Sequence, residues 1–303
     1  MNISRLDLDG TGSPEGLVGK IFKALPDLPI PVPIEELARA LDITDIDVLT
    51  TDGFEGGLVT DESKSEGTIL VNQHARRGRR RFTIGHELGH FLIPTHMPLR
   101  DGRFLCSRED MRRWSGSETN AYARMEVEAN KFAAFLLMPP PKMRAVVGKF
   151  RDPDLAHILE VASAFDVSKE PAARAYAQYH HHSIAIAVVK VGTVVRFYRN
   201  TKFPKIGIAD GSAVPKESLF HHAATLGSKL TDITQNGAEL WLESGWGKRL
   251  PTLYEQVLFQ QEGYALIMLW TESDSEEDNE SDPDENLTSK ERLRNRTSAR
   301  DRR

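Results

Sequence analysis

The residues best placed to do chemistry lie in the stretch RRRFTIGHELGHFLIP, residues 79–94. Two histidines, His86 and His90, stand four positions apart, and Glu87 directly follows the first. On an α-helix, residues i and i+4 share one face, so both imidazoles can offer a nitrogen to one ion, a geometry that zinc accepts. Glu87 lies about 100° further round the helix, where a general base can flank the ion without coordinating it. The spacing H-E-x-x-H therefore predicts a metal site, with a solvated polar helix face as the alternative.

A catalytic zinc needs a third protein ligand and an open coordination position. The second long helix, predicted over residues 118–138, offers Glu126 and Glu128. These two lie about 200° apart around the helix, so only one can face the ion. Glu126 borders the side that carries Ala129 and Ala133, and such small residues let two helices approach closely. We therefore predict Glu126 as the third ligand and Glu128 as a solvated or supporting charge.

The elements around these residues follow from hydrophobic periodicity. The first helix is predicted over about 76–92, because Pro94 cannot continue it. Residues 45–72 have a strand-like pattern and predict a small antiparallel sheet whose last strand is 68–71. Residues 95–117 are polar with little periodicity, which predicts a long loop or insertion over a cleft.

The rest of the chain divides by composition. Residues 154–182 predict two helices in a helix-turn-helix-like order, but their basic residues are too few for a convincing phosphate-binding face, so we do not expect direct DNA contact. Residues 183–270 are rich in β-branched runs and predict a separate α+β module. An acidic run followed by a basic run predicts that 271–303 are disordered.

Composition excludes several classes of protein. The 303 residues are 40% hydrophobic, enough for a sizeable core, and the net charge of −5 does not fit a basic nucleic-acid binder. The only cysteine, Cys106, rules out an internal disulfide and a multi-cysteine metal site. Since the sequence has neither an apolar run of about 18 residues nor a secretory signal pattern, we expect a cytoplasmic protein without membrane contact.

The two motifs together resemble one known family. RRRFTIGHELGHFLI followed by EVEANKFAAFLLMP is similar to the ImmA/IrrE zinc metallopeptidases, in which H-E-x-x-H precedes E-x-x-A-N-x-F-A-x-x-L-L-M-P. The resemblance implies a zincin-like metallopeptidase domain, placed over 15–150, and a sensor-like role for the module over 183–270. Periodicity and composition add a helix-turn-helix-like pair over 151–182 and a charged tail over 271–303, so the expected fold class is α+β. The resemblance also implies Zn²⁺ held by His86, His90 and Glu126, with Glu87 as catalytic base.

The activity implied is metal-assisted hydrolysis of a regulatory protein, an XRE-type helix-turn-helix repressor, with roles in transcription regulation and stress response. A second oxyanion donor is expected, and Tyr122 and His96 are both candidates. The strand GTILVN, residues 67–72, could pair with an extended substrate or serve only as sheet structure. The alternative function is a non-catalytic regulatory protein with a structural zinc that sequesters a repressor or binds DNA.

Overall fold

The computed structural model describes residues 1–50, 54–97, 103–106, 120–226, 229–244 and 249–272. These residues form an α+β protein with two sheets, as predicted. The described helices are α1 Pro14–Ala24, α2 Ile34–Ala40, α3 Arg77–Leu92, α4 Ala121–Leu137, α5 Pro140–Val147, α6 Leu155–Phe165, α7 Lys169–Tyr179 and α8 Leu219–Leu226. The described strands are β1 Ile43–Leu49, β2 Gly56–Thr60, β3 Gly67–Asn72, β4 Arg103–Cys106, β5 Ser183–Lys190, β6 Thr193–Arg199, β7 Thr234–Asn236, β8 Thr252–Phe259 and β9 Tyr264–Glu272.

The first sheet has the strand order β1-β3-β2-β4. Strands β2 and β3 form an antiparallel pair, but β1 runs parallel to β3, so the prediction of a purely antiparallel sheet is wrong. Alternation of apolar and polar residues identifies strands without identifying their neighbours, and the chain inserts β3 between the two strands that precede it. Because β3 is paired on both edges, the hypothesis that it binds an extended substrate is also wrong.

Strand β4 lies inside the segment that was predicted as a polar loop or insertion. It pairs antiparallel with β2, from Gly56 opposite Cys106 to Val59 opposite Arg103, and so covers the outer edge of β2. A strand of four residues is too short to show a period of two, and the backbone of β2 supplies the pairing. The remainder of the predicted insertion, residues 98–102 and 107–117, lies outside the described residues.

Helices α3 and α4 confirm the two long helices predicted around the chemical residues. α3 ends where the N–H of Ile93 donates to the carbonyl of Gly89, one residue before Pro94. Asn120 is the N-cap residue immediately before α4, and its side chain accepts from the N–H of Ala123 at 3.0 Å. Both helices bury apolar faces in one core with α1, α2 and the first sheet. None of the described helices is long and apolar enough to span a bilayer.

The second sheet is antiparallel with the order β6-β5-β9-β8-β7. Its central strands are buried on both faces, which explains their continuous apolar runs. In β5, Ile184 and Ile186 pack toward α5, α6 and α7, whereas Ala185 and Ala187 pack toward Trp241 on the other face. β9 extends to Glu272, two residues past the predicted end of this module, so the first two residues of the predicted disordered tail are strand. Residues 273–303 lie outside the described residues.

The helices α6 and α7 have the order of the predicted helix-turn-helix-like pair. α7 is covered by the second sheet and by α6, and Gln178 is the one residue of this helix that is exposed. This burial leaves α7 little surface to present to a partner. The domain limits at 150, 182 and 270 stay predictions, and α5, α6 and α7 share one core with the second sheet.

Two basic residues in the first two turns of α3 form ion pairs with the second half of the chain. Arg77 and Arg81 both form ion pairs with Asp166, at 2.8 and 3.3 Å. Gly78 lies so close to the α6–α7 connection that an added Cβ would stand 2.8 Å from the backbone nitrogen of Ser168. The arginines therefore act within the chain, as packing and ion-pair contacts between its two halves.

Candidate metal centre

The structure brings the three predicted ligand residues together at the contact of α3 and α4. The Nε2 atoms of His86 and His90 are 3.1 Å apart. Glu126 places one carboxylate oxygen 3.3 Å from Nε2 of His86 and the other 3.5 Å from Nε2 of His90. All three side chains are buried, with at most 1% of their surface exposed. Among the described residues, this is the one cluster of three or more such donors whose ligand atoms all lie within 4.8 Å of one another.

These separations fit a shared tetrahedral ion. Zinc binds imidazole nitrogen and carboxylate oxygen at about 2.0–2.1 Å, so two ligand atoms at tetrahedral positions stand about 3.3 Å apart. The distance of 3.1 Å between the two Nε2 atoms and the distance of 3.3 Å from Nε2 of His86 to one Glu126 oxygen lie close to that value, and the other Glu126 oxygen is 3.5 Å from Nε2 of His90. Two imidazoles and one carboxylate also leave a fourth position open, as a catalytic site requires. The donor set therefore fits a zinc ion in both chemistry and spacing.

The protonation states of the cluster suit metal binding. Burial lowers the pKa of His90 to about 3, so its imidazole is neutral and keeps a lone pair at pH 7. Burial by itself would raise the pKa of Glu126, but the neighbouring imidazoles of His86 and His90 outweigh burial and lower the pKa below the usual range. The carboxylate is thus ionised, and the cluster offers one negative charge to a cation.

Small residues allow the close approach that the sequence predicted. A Cβ added at Gly85 would lie 3.3 Å from the Cβ of Ala133, and one added at Gly89 would lie 3.3 Å from the Cα of Ala129. The backbones of α3 and α4 thus meet along the alanine side of α4, which is the side that Glu126 borders. The geometric reason for choosing Glu126 over Glu128 holds in the folded chain.

Asn130 is a site residue that the sequence analysis did not single out. It is fully buried, and its Oδ1 lies 3.0 Å from Nδ1 of His86. A carbonyl oxygen accepts, so Nδ1 of His86 carries the hydrogen and Nε2 keeps its lone pair. The signal was available, since Asn130 follows Glu126 by four residues and so lies on the same face of α4.

Glu87 and the two candidate oxyanion donors occupy different environments. Glu87 is fully buried beside His86 on α3. His96 is fully buried as well, but its Nδ1 lies 3.1 Å from Nδ1 of His90 and its Nε2 lies 2.9 Å from a carboxylate oxygen of Glu128. Both ring nitrogens of His96 are therefore engaged by side chains of the site. Tyr122 is half-buried one turn before Glu126 and stays a candidate donor.

Strand β4 and Lys64 contact the cluster and the end of α3 from the side of the first sheet. Phe104 stacks on His90, with ring centroids 4.8 Å apart and planes inclined by 28°. Lys64 is buried and donates to the carbonyl oxygens of His90 and Ile93 at 2.8 and 2.9 Å, where it caps the end of α3. Burial, with a smaller contribution from Arg5, lowers the pKa of Lys64 to about 8.

Comparison with known proteins places this site in a family. Among solved structures, a transcriptional regulator of Mycobacterium tuberculosis matches with a TM-score of 0.49 and 13% identity, over 86% of this chain and 75% of that chain. No curated protein matches the sequence significantly. A family model described as peptidase M78, IrrE N-terminal-like domain, matches residues 44–176, a span that contains both motif helices. Residues 44–176 therefore form an IrrE N-terminal-like domain, and the predicted resemblance to the ImmA/IrrE family is confirmed for that part of the chain.

Proposed function

We propose that this chain is a zinc-dependent endopeptidase that cleaves a regulatory protein. The observation that carries the proposal is the buried cluster of two imidazoles and one carboxylate at ligand spacing, with the carboxylate of Glu87 beside it on the same helix. Membership of a peptidase family supports the same reading. His86, His90 and Glu126 are the residues that would hold the zinc ion.

When bound, zinc supplies Lewis acidity, which acidifies water and polarises a peptide carbonyl. The chain's own residues then handle the protons. Glu87 accepts the proton of the attacking water as general base, and the same carboxyl group delivers it to the departing amine nitrogen. The buried setting around the cluster limits competing solvent, because Phe104 stacks on His90 and at most 1% of each of the three ligand side chains is exposed.

The proposed substrate is an XRE-type helix-turn-helix repressor, whose cleavage relieves repression. This part of the proposal rests on the resemblance to the ImmA/IrrE family, and the localisation proposed with it is cytoplasmic. A repressor encoded beside the gene for this chain is the first substrate to test.

Glu87→Gln separates the enzyme from the alternative, a repressor-binding protein with a structural zinc. The substitution keeps the size of the side chain and leaves the three proposed ligands intact, but it removes the group that accepts the proton. Zinc content should stay at one ion per chain, while cleavage of the repressor should fall by about 10²- to 10⁴-fold. Glu87→Gln should also retain affinity for the repressor and trap the complex.

The metal assignment has its own control. Metal analysis of purified protein should show that His86→Ala and Glu126→Ala reduce zinc content far more than Glu128→Ala, because Glu128 is not one of the three proposed ligands. Equal zinc content in wild type and in a His86→Ala, His90→Ala double variant would end the metal-site proposal. If Glu87→Gln relieved repression as well as wild type, and neither protein shortened the repressor on a gel, the peptidase proposal would fail and the metal site would remain.

A further inference from the structure

We infer that His96 and Glu128 are positioning residues for the metal site: together they hold the His90 ring in the tautomer that carries its hydrogen on Nδ1 and directs the lone pair of Nε2 at the ion. The side chains of His90, His96 and Glu128 form one series of hydrogen bonds that leads from the cluster to the protein surface. The inference rests on the metal site of the proposed function and is independent of peptide hydrolysis.

The two nitrogens of His90 face different partners. Nε2 points into the cluster, 3.1 Å from Nε2 of His86 and 3.5 Å from Glu126. Nδ1 points away from it and lies 3.1 Å from Nδ1 of His96. A hydrogen bond between two imidazole nitrogens needs one donor and one acceptor, so the tautomer of His96 decides that of His90.

Glu128 sets the direction of these hydrogen bonds. Its Oε2 lies 2.9 Å from Nε2 of His96, and a carboxylate can only accept, so Nε2 of His96 carries the hydrogen. Nδ1 of a neutral His96 is then an acceptor, and Nδ1 of His90 must donate to it. The hydrogen of His90 is thereby placed on Nδ1, which leaves the lone pair of Nε2 directed at the cluster. Carboxylate–histidine support of this kind fixes the orientation of metal ligands in proteins generally.

The backbone fixes His96 where this contact requires it. Its N–H donates to the carbonyl of Ile93 at 3.2 Å, which forms a turn immediately after α3. Lys64 holds the same carbonyl and that of His90. His96 is fully buried, whereas 41% of the Glu128 side chain is exposed, so this series of hydrogen bonds ends at the protein surface, on α4. α4 thus contributes twice to the site, through Glu126 to the cluster and through Glu128 to the support of a histidine on the facing helix.

The two histidines are supported in different ways. His86 donates its Nδ1 hydrogen to the amide oxygen of Asn130 directly, and His90 reaches its carboxylate through a second imidazole. Removing His96 therefore removes the acceptor for His90 alone. The support of His86 stays in place, which gives the experiment an internal reference.

The test is the dissociation constant of zinc, measured on the full-length chain by competition with a chromophoric chelator. Two pairs of variants separate the hydrogen bond from packing. His96→Asn keeps an acceptor oxygen close to the position of Nδ1, and His96→Leu removes it. Glu128→Gln keeps an acceptor for His96, and Glu128→Ala removes it. Glu160→Gln, an exposed carboxylate of α6, is the control for a general loss of charge.

His96→Leu should weaken zinc binding by about 10- to 100-fold and Glu128→Ala by about 10-fold. His96→Asn and Glu128→Gln should stay within about threefold of wild type, because the direction of each hydrogen bond is preserved. The melting temperature of each variant in excess chelator shows whether the metal-free fold persists. If His96→Leu does not fold, the Glu128 pair decides the question alone, since that side chain is part-exposed.

Three results would overturn the inference. Zinc affinity of His96→Leu equal to wild type removes the support role, and equal losses in His96→Asn and His96→Leu show that the ring acts by packing alone. Unchanged affinity with slower repressor cleavage would instead make His96 an oxyanion donor. A wild-type chain that binds no zinc refutes the metal site itself, so failure of the proposed function is distinguishable from failure of this inference.

Discussion

Gly89 is the position where one added methyl group tests how strongly the site depends on the contact of α3 and α4. A Cβ at this position would lie 3.1 Å from Cδ1 of Phe132 and 3.3 Å from the Cα of Ala129. Carbon atoms in good contact are about 3.5–4.0 Å apart. Gly89→Ala must therefore displace α4, or the Phe132 ring, by a few tenths of an ångström.

Two opposing contributions set the expected magnitude. Alanine is favoured over glycine in a helix interior by about 1 kcal/mol, and overpacking in a well-packed core costs about 1–3 kcal/mol. Gly89→Ala should therefore change the free energy of unfolding by between about 0 and 2 kcal/mol, in the destabilising direction. Gly19→Ala is the matched control, because Gly19 is an exposed residue of α1 and an added Cβ would meet nothing within 4 Å. Gly19→Ala should raise the free energy of unfolding by up to about 1 kcal/mol, because no clash opposes the helix preference of alanine.

Urea denaturation of the zinc-free chain compares the two stabilities, and chelator competition compares their zinc affinities. Gly89→Ala should be less stable than Gly19→Ala by about 1–3 kcal/mol. It should also bind zinc more weakly, because the carboxylate of Glu126 moves with α4 away from the two histidines. If Gly89→Ala were as stable as Gly19→Ala and bound zinc as wild type does, the close helix contact would not be what sets the ligand spacing.

Three further predictions concern the surroundings of the site and the ends of the chain. Burial lowers the pKa of His180 to about 4 from an unfolded value near 6.5, so the unfolded chain takes up this proton first and stability falls as the pH drops from 6.5 toward 4. His180→Asn, which retains an acceptor for the His182 N–H, should flatten the profile in thermal melts between pH 4 and 7, and an unchanged slope would contradict the assignment. Lys64→Met should destabilise the chain by about 1–3 kcal/mol in urea denaturation, because two buried carbonyl oxygens lose their donor, and a neutral effect would refute the capping role. Truncation after Glu272, where β9 ends, should leave the melting temperature unchanged, since the nine acidic residues from Glu272 to Glu285 repel one another and bury little, and a clear loss of stability would show that the tail packs on the body.

The sequence by itself determined the metal-binding chemistry that we propose. The spacing of His86, Glu87 and His90 is a local property, because the helix period alone decides which side chains share a face. The choice of Glu126 was also possible from the sequence, since small residues at 129 and 133 mark a side of α4 that can lie close to another backbone. The two long helices were predictable for the same reason, as apolar residues recur over about three turns or more in each and proline follows both of them.

Contacts between residues distant in sequence were decided only by the tertiary structure. Nothing in the sequence of β1 shows that it pairs parallel with β3, because hydrogen bonds between strands involve backbone atoms that all residues share. The four-residue strand β4 and its place over the edge of β2 were hidden for the same reason. From the sequence alone, His96 was a candidate oxyanion donor and Glu128 a solvated or supporting charge. The fold links both residues to His90. Because α4 runs antiparallel to α3, it brings Glu128 next to the turn that follows α3, where His96 lies, although the two residues are 32 positions apart in the chain.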